Sequence, residues 1–485
     1  MVALAVGPVL AGQALPPAVQ RALDRAAVPP AALAVVVADA VPGGRVLLAH
    51  RAHEPMNPAS VMKLVTTTAA LDLLGPAFVW RTAVYTDGPV HDGVLHGSLY
   101  LRGDGDPKLV SERLWLLLRR VQGLGIRHIT GDIVLDRSAF ALPPHDPAAF
   151  DGEPLRPYNA APDALLVNFR AQVLTFVPDE AAGVARVLLE PPLAEVTVPD
   201  TVPLGEGPCD DWRATLRPDW TDARRPRFAG RYPRACGQRL WAVAHPQPER
   251  FAARAVAGVW AQLGGVLDGA VRDGVVPGHL TPRLWFESVP LAEVVRDVNK
   301  FSNNVMAQQL LLTLARVPLG EASAGCGRGR RDGSLLPVID DRAPQPRTAA
   351  TFDSARTVLQ AWWRACVSDA APPRVDNGAG LSRDARVTAA ALAQLLQWVW
   401  ASPWMPDLAA SLPLAGVDGT LRRSAMGAAT AHLKTGSLAD VQALAGYVHA
   451  ANGRRRVLVA IVNHPHARAA RPALEALVAW AAALP

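Results

Sequence analysis

One short stretch limits the possible folds of this chain more than any other. Ser60 precedes Lys63 by three residues, at the start of an apolar run that continues to Leu74. Pro58 suits a helix entry and Gly75 a helix end, so the run predicts a helix. Residues three apart share a helix face, which places the hydroxyl of Ser60 beside the amine of Lys63. A serine needs an adjacent base to act as a nucleophile. An unrelated serine and lysine on a surface helix is the alternative.

The use of lysine points to the same residues. Of 49 lysines and arginines, only four are lysines: Lys63, Lys108, Lys300 and Lys434. Arginine is effectively never deprotonated, so a retained lysine is a candidate for chemistry that arginine cannot perform. Lys434 opens the triplet Lys434-Thr435-Gly436, and Lys300 lies two residues before Ser302-Asn303-Asn304. Three of the four lysines therefore lie in or beside a possible catalytic motif.

Length and charge bound the class of protein. A chain of 485 residues predicts two or three domains, and its composition of 50% hydrophobic and 19% charged residues is globular. The net charge of +6 comes without a basic run or an aromatic-basic stripe, which argues against nucleic-acid binding. No apolar run reaches the roughly 18 residues of a transmembrane helix, so no transmembrane segment is expected.

The first 14 residues form a short apolar segment that ends in small residues but lacks a positive leading region. We interpret it as a truncated or degenerate secretory signal, with a first β-strand as the alternative. This interpretation predicts export, and a periplasmic location.

The four cysteines contain no CxxC pair, so a zinc site is not expected. Cys209 and Cys236 flank a stretch rich in Arg, Pro and Asp. In an exported protein a disulfide between them is expected to hold this stretch together, and two unpaired thiols are the alternative.

Strand and helix patterns alternate unevenly along the chain. Both ends supply strands and helices, and their patterns predict a helix at Phe352–Cys366 and strands at Ala431–Ser437 and Arg455–Asn463. Residues 87–282 instead consist of short strand-like pieces separated by Gly, Pro and Asp turns. We therefore expect a catalytic domain built from residues 1–86 and 283–485. Residues 87–282 are expected to form an inserted β-rich module of two subdomains, although its length also allows a single one. The fold class is α+β, with an antiparallel sheet flanked by helices. Residues 320–349 are expected to form a surface loop.

The three motifs occur in the order SxxK, SxN, KTG, which is the signature of penicillin-binding proteins and serine β-lactamases. The chain resembles the class C low-molecular-mass penicillin-binding proteins, the D-alanyl-D-alanine carboxypeptidase/endopeptidases. The resemblance covers nearly the whole chain, including the segments 103–107, 129–136, 158–160, 167–169, 378–383 and 416–421. Ala379, where the family usually has a serine, and the loop at 320–349 depart from the family pattern.

The resemblance implies a transpeptidase-like fold and a role for each motif. Ser60 is the expected nucleophile and Lys63 its base. Ser302 and Asn304 are expected to relay a proton and to orient Lys63. Lys434 and Thr435 would bind the substrate carboxylate, Gly436 would allow close backbone approach, and the N–H groups of Ser60 and Ser437 would form an oxyanion hole. The expected partners are peptidoglycan stem peptides ending in D-Ala-D-Ala and β-lactam antibiotics, and no cofactor or metal is expected.

Three other enzyme classes and a non-catalytic binding protein fit the sequence less well than a carboxypeptidase. A serine β-lactamase needs fast deacylation, and the long insert argues against it. A non-catalytic wall-binding protein would not need Ser60, Lys63 and Lys434. The chain has no GxSxG elbow for a Ser-His-Asp esterase, and His464 and His466 stand without an HExxH motif. The sequence leaves open the preference between carboxypeptidase and endopeptidase activity, and the oligomeric state.

Overall fold

The computed structural model describes residues 14–316, 326, 348–368, 370–428 and 430–485. The predicted signal segment and most of the predicted loop at 320–349 lie outside these residues. Within the described ranges, none of the helices combines the length and the apolarity that crossing a membrane requires.

Eleven helices lie in the described residues: α1 Pro17–Arg25, α2 Lys63–Leu74, α3 Ser111–Gly123, α4 Trp212–Thr215, α5 Pro248–Gln262, α6 Leu291–Phe301, α7 Asn304–Leu314, α8 Phe352–Cys366, α9 Ala389–Trp400, α10 Met405–Ser411 and α11 Arg471–Ala483. The strands of the same residues are β1 Leu33–Asp39, β2 Val46–His50, β3 Arg81–Thr86, β4 Val90–His91, β5 Val94–Leu95, β6 Leu99–Arg102, β7 His128–Ile129, β8 Ile133–Asp136, β9 Ala171–Asp179, β10 Val184–Glu190, β11 Thr201–Gly205, β12 Pro218–Asp219, β13 Arg227–Phe228, β14 Tyr232–Pro233, β15 Arg239–Ala244, β16 Val266–Leu267, β17 Val271–Asp273, β18 Leu284–Glu287, β19 Ala431–Ser437, β20 Val441–His449 and β21 Arg455–Asn463.

The chain divides into two compact units, Met1–Val79 with Val289–Pro485, and Trp80–Ser288. The first unit contains a five-stranded antiparallel sheet in the order β19-β20-β21-β1-β2. Because side chains alternate along a strand, β1 presents Leu33, Val35 and Val37 to one face, where α1 and α11 pack. The opposite face of β1 and β21 contacts α9. The sheet is therefore covered by helices on both faces, and the predicted α+β class is confirmed.

Helix α2 is the centre of the helical half of this unit. Every residue from Lys63 to Leu73 is buried, as expected for a helix that is surrounded on all sides. Its neighbours are α6, α7 and α8. The buried carboxylate of Asp72 accepts hydrogen bonds from the indoles of Trp362, at 2.8 Å, and Trp404, at 3.2 Å. These contacts hold α2 in a fixed position, which matters because α2 begins at the predicted base.

The second unit is built on four sheets, in the orders β17-β8-β6-β3-β18, β16-β7-β5-β4, β14-β11-β10-β9-β15 and β12-β13. Helices α3 and α5 supply apolar side chains, among them Leu117 and Phe251, to the core beside the first two sheets. A separate aromatic cluster surrounds Phe176, whose ring stacks on that of Tyr232 at 5.3 Å. Cys209 and Cys236 form a disulfide next to this cluster, with an S–S distance of 2.02 Å.

Candidate active site

Ser60 lies in a single 3₁₀ turn, Ala59–Met62, that leads directly into α2. Asn57 fixes the approach to this turn. Its side-chain oxygen accepts a hydrogen bond from the N–H of Ala59 at 2.9 Å, and its amide nitrogen donates to the carbonyl of Ser382 at 2.9 Å. Its backbone N–H donates to Oδ1 of Asn463, at the end of β21, at 2.8 Å. The serine is thus held against both the sheet and the loop that carries Ser382.

Lys63 makes three hydrogen bonds and is fully buried. Its Nζ donates to Oδ1 of Asn304 at 2.7 Å, to the carbonyl of Ala379 at 2.7 Å, and lies 2.9 Å from Oγ of Ser60. Asn304 Oδ1 and the Ala379 carbonyl can only accept hydrogen bonds, whereas a serine hydroxyl can also donate. A neutral Lys63 has two N–H groups, and these would donate hydrogen bonds to the two fixed acceptors. Its lone pair would then face Ser60.

The surroundings of Lys63 favour this neutral form. Burial, and then the positive charge of Lys434, lower the pKa of Lys63 well below its ordinary value. Burial disfavours the charged state of an amine, and a nearby cation adds to the effect. The electrostatics and the hydrogen-bond geometry therefore agree that Lys63 can accept a proton.

The acceptor at Ala379 comes from a tight loop, residues 377–381, that sequence reasoning did not include in the site. Asn377 holds the loop by accepting from the N–H of Ala379 at 3.0 Å and donating to the carbonyl of Leu381 at 2.9 Å. Gly380 has a φ of +74°, and a Cβ there would lie 1.8 Å from the carbonyl oxygen of Ala59. The glycine lets this loop pack against the Ser60 turn. Because the contact to Lys63 uses a backbone carbonyl, the absence of a serine side chain at Ala379 does not remove it.

Ser302 and Asn304 lie at the junction of α6 and α7. Ser302 ends α6 in the left-handed conformation, with φ of 58°, and Asn303 caps α7 by accepting from the N–H of Met306 at 3.0 Å. The sharp turn between the two helices brings both predicted residues into the site. Asn304 reaches Lys63, and Oγ of Ser302 accepts a hydrogen bond from Nζ of Lys434 at 2.9 Å.

Lys434 and its neighbours lie on β19, the edge strand of the sheet. Lys434 is fully buried, and burial lowers its pKa to about 7. Its Nζ also donates to the carbonyl of Thr435 at 2.8 Å. A Cβ at Gly436 would lie 2.4 Å from the carbonyl oxygen of Pro58 and 3.2 Å from the nitrogen of Ser60. Glycine at this position therefore allows the strand to approach the Ser60 turn.

A cavity of about 500 Å³ opens over these residues. Its lining includes Ser60, Ser302, Thr420, Thr435, Gly436 and Ser437. The hydroxyls of Thr420 and Thr435 lie 2.8 Å apart, and Oγ of Ser437 accepts from the amide of Gln442 at 2.6 Å. The structure thus brings together all eight predicted catalytic and substrate-binding residues, since Lys63 contacts Ser60, Lys434 contacts Ser302, and Asn304 contacts Lys63.

An ion pair between the buried Lys300 and the partly exposed Asp418 supports the Thr420 side of the cavity. Nζ of Lys300 lies 2.9 and 2.6 Å from the two carboxylate oxygens of Asp418, and the N–H of Leu414 donates to Asp418 at 2.8 Å. Sequence reasoning noted Lys300 for its position beside Ser302, but it did not identify Asp418 as the partner or Thr420 as a lining residue. The scarcity of lysine in the chain was the signal that could have marked Lys300 as a residue with a specific charged partner.

The predicted disulfide cysteines, Cys209 and Cys236, belong to the second unit and contribute nothing to this cluster. The structure also joins Cys326 to Cys366 at the end of α8, a pair that sequence reasoning left unassigned.

Comparison with known proteins identifies the family. The sequence profile of the D-Ala-D-Ala carboxypeptidase 3 (S13) family, Peptidase_S13, matches residues 17–327 and 344–484. The chain belongs to this family. The predicted resemblance to class C low-molecular-mass penicillin-binding proteins is confirmed, and the S13 chain is a serine-type D-Ala-D-Ala carboxypeptidase. Between its two matched segments the profile leaves residues 328–343 unmatched, and these lie within the predicted loop at 320–349.

Individual relatives agree with this assignment. The S13 chain is 29% identical to a D-alanyl-D-alanine carboxypeptidase of Actinomadura sp. (strain R39), over 92% of this chain and 80% of the relative. Two crystal structures of penicillin binding protein 4 (dacB) from Haemophilus influenzae match with a TM-score of 0.65, one at 21% identity and one, complexed with a β-lactam, at 20%. Each match covers 92% of this chain and 96% of the other. At such identities the likeness shows the fold, and it confirms the predicted penicillin-binding-protein architecture.

Proposed function

We propose that this S13 enzyme cleaves peptidoglycan stem peptides ending in D-Ala-D-Ala through an acyl-enzyme on Ser60, and that β-lactams acylate the same oxygen. The observation that carries this proposal is the set of contacts around Lys63. Nζ of Lys63 lies within hydrogen-bond distance of two fixed acceptors and 2.9 Å from Oγ of Ser60, so the lone pair of a neutral Lys63 would face Oγ. A nucleophile and a base within hydrogen-bond reach, with the base oriented by further groups, are what covalent catalysis by serine requires.

In the acylation step Lys63 takes the proton of Ser60 as Oγ attacks the carbonyl carbon between the two D-alanines. The tetrahedral intermediate then collapses, the C–N bond breaks, and the leaving amine receives a proton. Ser302 would deliver this proton and would take up in its place the proton that Lys63 removed from Ser60, while Lys434 holds the Ser302 hydroxyl. The N–H groups of Ser60 and Ser437 would stabilise the developing oxyanion. Water then hydrolyses the ester, returning Ser60 to its free form, and the residues need no cofactor or metal for these steps.

Lys434 and Thr435 would bind the carboxylate of the terminal D-alanine. With a pKa near 7, Lys434 is poised between its charged and neutral forms in the absence of substrate. An arriving carboxylate favours the charged form, because opposite charges within a few ångströms stabilise each other. A charged Lys434 in turn helps keep Lys63 neutral. Binding of the substrate carboxylate would therefore prepare the base for its reaction.

The cellular setting follows from the substrate. Peptidoglycan lies outside the cytoplasmic membrane, so we propose that the protein is exported and acts in the periplasm. The three motifs and the active-site cavity lie in the unit formed by both chain ends. We propose that this unit is the catalytic domain.

The test is acylation by labelled penicillin together with release of D-alanine from a D-Ala-D-Ala peptide. The wild type should form a stable adduct and release D-alanine, and Ser60→Ala should do neither. Ser402→Ala, a serine of the same unit that bonds the carbonyl of Val399 and lies outside the three motifs, is the matched control and should behave as wild type. Labelling that survives in Ser60→Ala would overturn the assignment of the nucleophile. Rapid loss of the adduct in the wild type would instead indicate a β-lactamase.

A further inference from the structure

Thr420 makes a contact inside the cavity that none of the reaction steps above requires. It is exposed and lines the cavity over Ser60, in a single 3₁₀ turn, Gly419–Leu421. Its hydroxyl lies 2.8 Å from the hydroxyl of Thr435, so that one of the two donates a hydrogen bond to the other. Thr435 is the residue that, with Lys434, binds the terminal carboxylate of the substrate in our proposal. Thr420 therefore reaches the carboxylate site through Thr435.

The turn that carries Thr420 is fixed to the end of α6. Asp418, two residues before Thr420, forms an ion pair with Lys300 at an N–O distance of 2.6 Å. The side chain of Lys300 is only 6% exposed, so this pair is shielded on the lysine side. Gly419 lets the two segments approach each other, since its φ is +54° and a Cβ there would lie 2.6 Å from the carbonyl oxygen of Lys300. The ion pair and this close approach hold Thr420 beside the end of α6.

These contacts close a ring beside the place where the carboxylate is expected to bind. Lys300 lies two residues before Ser302, whose Oγ accepts a hydrogen bond from Nζ of Lys434 at 2.9 Å. Lys434 precedes Thr435 on β19, and Thr435 contacts Thr420. The ring thus passes from α6 through the ion pair and the two threonines to β19, and returns to α6 through Lys434 and Ser302. A closed set of contacts restricts how far the hydroxyl of Thr435 can move.

The direction of the hydrogen bond between the two threonines matters for binding an anion. A hydroxyl has one proton to donate, and a carboxylate can only accept. If Thr435 donates to Thr420, its proton is not available to the substrate. If Thr420 donates to Thr435, the proton of Thr435 can point at the carboxylate. An arriving carboxylate selects the second arrangement, because hydrogen bonds to a charged acceptor are the stronger ones. A C-terminal amide is neutral and carries donors of its own, so it gains less.

We propose that Thr420 is a positioning residue that selects substrates with a free C-terminal carboxylate. It donates to Thr435, and Thr435 in turn donates to the carboxylate. Hydrogen bonds in such a chain polarise and strengthen one another. The inference rests on the proposed function, because it assumes that Thr435 binds the carboxylate next to the leaving amine. It adds to the recognition of this carboxylate a residue outside the three motifs, on a turn that the pair of Lys300 and Asp418 holds.

The experiment compares KM for a D-Ala-D-Ala peptide with KM for the same peptide ending in an amide. In Thr420→Val, which removes the hydroxyl at nearly constant volume, KM for the free acid should rise about 3- to 10-fold, as expected for one lost hydrogen bond. KM for the amide should stay within about twofold and kcat should not change, because the contact is made equally in the ground state and the transition state. Thr420→Ser keeps a hydroxyl and should restore the wild-type KM. Thr357→Val, at an exposed threonine of α8 that donates to the carbonyl of Asp353, is the matched control and should leave KM unchanged.

A double-mutant cycle separates an action through Thr435 from a direct or a purely structural one. If Thr420 acts only through Thr435, the double variant Thr420→Val/Thr435→Val should have the KM of Thr435→Val alone. Effects of the two substitutions that multiply would overturn the proposal. An equal rise in KM for the acid and the amide, or an unchanged KM of Thr420→Val for the acid, would overturn it as well.

Penicillin labelling of the wild type distinguishes this failure from failure of the proposed function. If Ser60 is not labelled, the acyl-enzyme is wrong, and the role of Thr420 falls with it. If Ser60 is labelled and Thr420→Val binds both peptides as the wild type does, only the positioning role is wrong.

Discussion

Replacement of Lys63 by arginine should block acylation of Ser60. Lys63 is fully buried, and its Nζ lies 2.7 Å from both Oδ1 of Asn304 and the carbonyl of Ala379. A lysine there can lose its proton, because burial and the charge of Lys434 lower its pKa. Arginine stays protonated at any working pH, so it has no lone pair to offer Ser60. The variant introduces a positive charge at a site that favours a neutral amine, and it loses the base.

The expected loss in acylation rate follows from the role of Lys63 as a general base. A positioned general base contributes about 10²- to 10⁴-fold to a rate, so acylation should slow by roughly that factor, or about 2.7–5.4 kcal/mol of transition-state stabilisation. The larger guanidinium group must also fit a fully buried position, and overpacking of this kind costs about 1–3 kcal/mol of stability. Thermal unfolding of the variant separates this cost from the loss of the base.

The assay is stopped-flow acylation by a chromogenic β-lactam, with two matched lysine-to-arginine variants. Lys434→Arg keeps the charge that the carboxylate needs but misplaces it, so we expect a partial loss of about 10- to 1000-fold. Lys108→Arg, in the second unit and outside the three motifs, should acylate at the wild-type rate. If a folded Lys63→Arg protein acylates at the wild-type rate, as Lys108→Arg should, Lys63 is not the base and the proposed mechanism is wrong.

Three further predictions concern pH, an ion pair and a disulfide. Because the pKa of Lys434 is about 7, its positive charge is present below that pH and is lost above it. KM for a substrate that ends in a carboxylate should therefore rise between pH 7 and 9, by up to about tenfold per pH unit, while KM for the matching C-terminal amide should not change. Equal pH profiles of KM for the two substrates would contradict the role of Lys434. Asp418→Asn leaves the buried Lys300 without its carboxylate partner. Because Asp418 itself is partly exposed, the free energy of unfolding should fall by about 1–3 kcal/mol, and KM for the same substrate should rise; an unchanged melting temperature would refute the stabilising role of this pair. Alkylation of the wild type without reductant should leave Cys209 and Cys236 unmodified, and two alkylated thiols would show that the disulfide is absent. Cys209→Ser should lower the free energy of unfolding by about 3 kcal/mol, because the unfolded chain is then no longer constrained by the loop that the disulfide closes.

The elements that carry the motifs could be predicted from the sequence, because each motif lies next to a residue pattern that marks where a helix or strand begins or ends. The strands Ala431–Ser437 and Arg455–Asn463 and the helix Phe352–Cys366 have the bounds that their patterns predict. The apolar run after Ser60 does form a helix that ends before Gly75, although Ser60 itself lies in a 3₁₀ turn. A positive φ of 46° at Ala59 bends the chain there, and no residue type signals such a turn. The predicted module at residues 87–282 and its division into subdomains stay predictions.

Two kinds of contact in the active site could not be predicted from the sequence: those made by backbone atoms, and those between residues far apart along the chain. The carbonyl of Ala379 binds Lys63, but any residue could supply that oxygen, so its side chain gives no signal. Asp418 lies 118 positions after Lys300, and only the fold shows that they pair. Helix Pro248–Gln262 was missed because its many alanines and the glycine at position 258 weaken the apolar pattern.

The strand order of the first unit determines when this enzyme can become active. Strand β1, near the start of the chain, lies between β2 and β21, near its end, and all seven residues of β1 pair with β21. Contacts of such long range form slowly, since the intervening chain must first be brought together. A nascent chain that has already produced Ser60 and Lys63 still lacks β19, β20 and β21. Catalytic competence therefore arises only after synthesis of the C-terminal strands, so an incompletely synthesised chain cannot yet acylate Ser60.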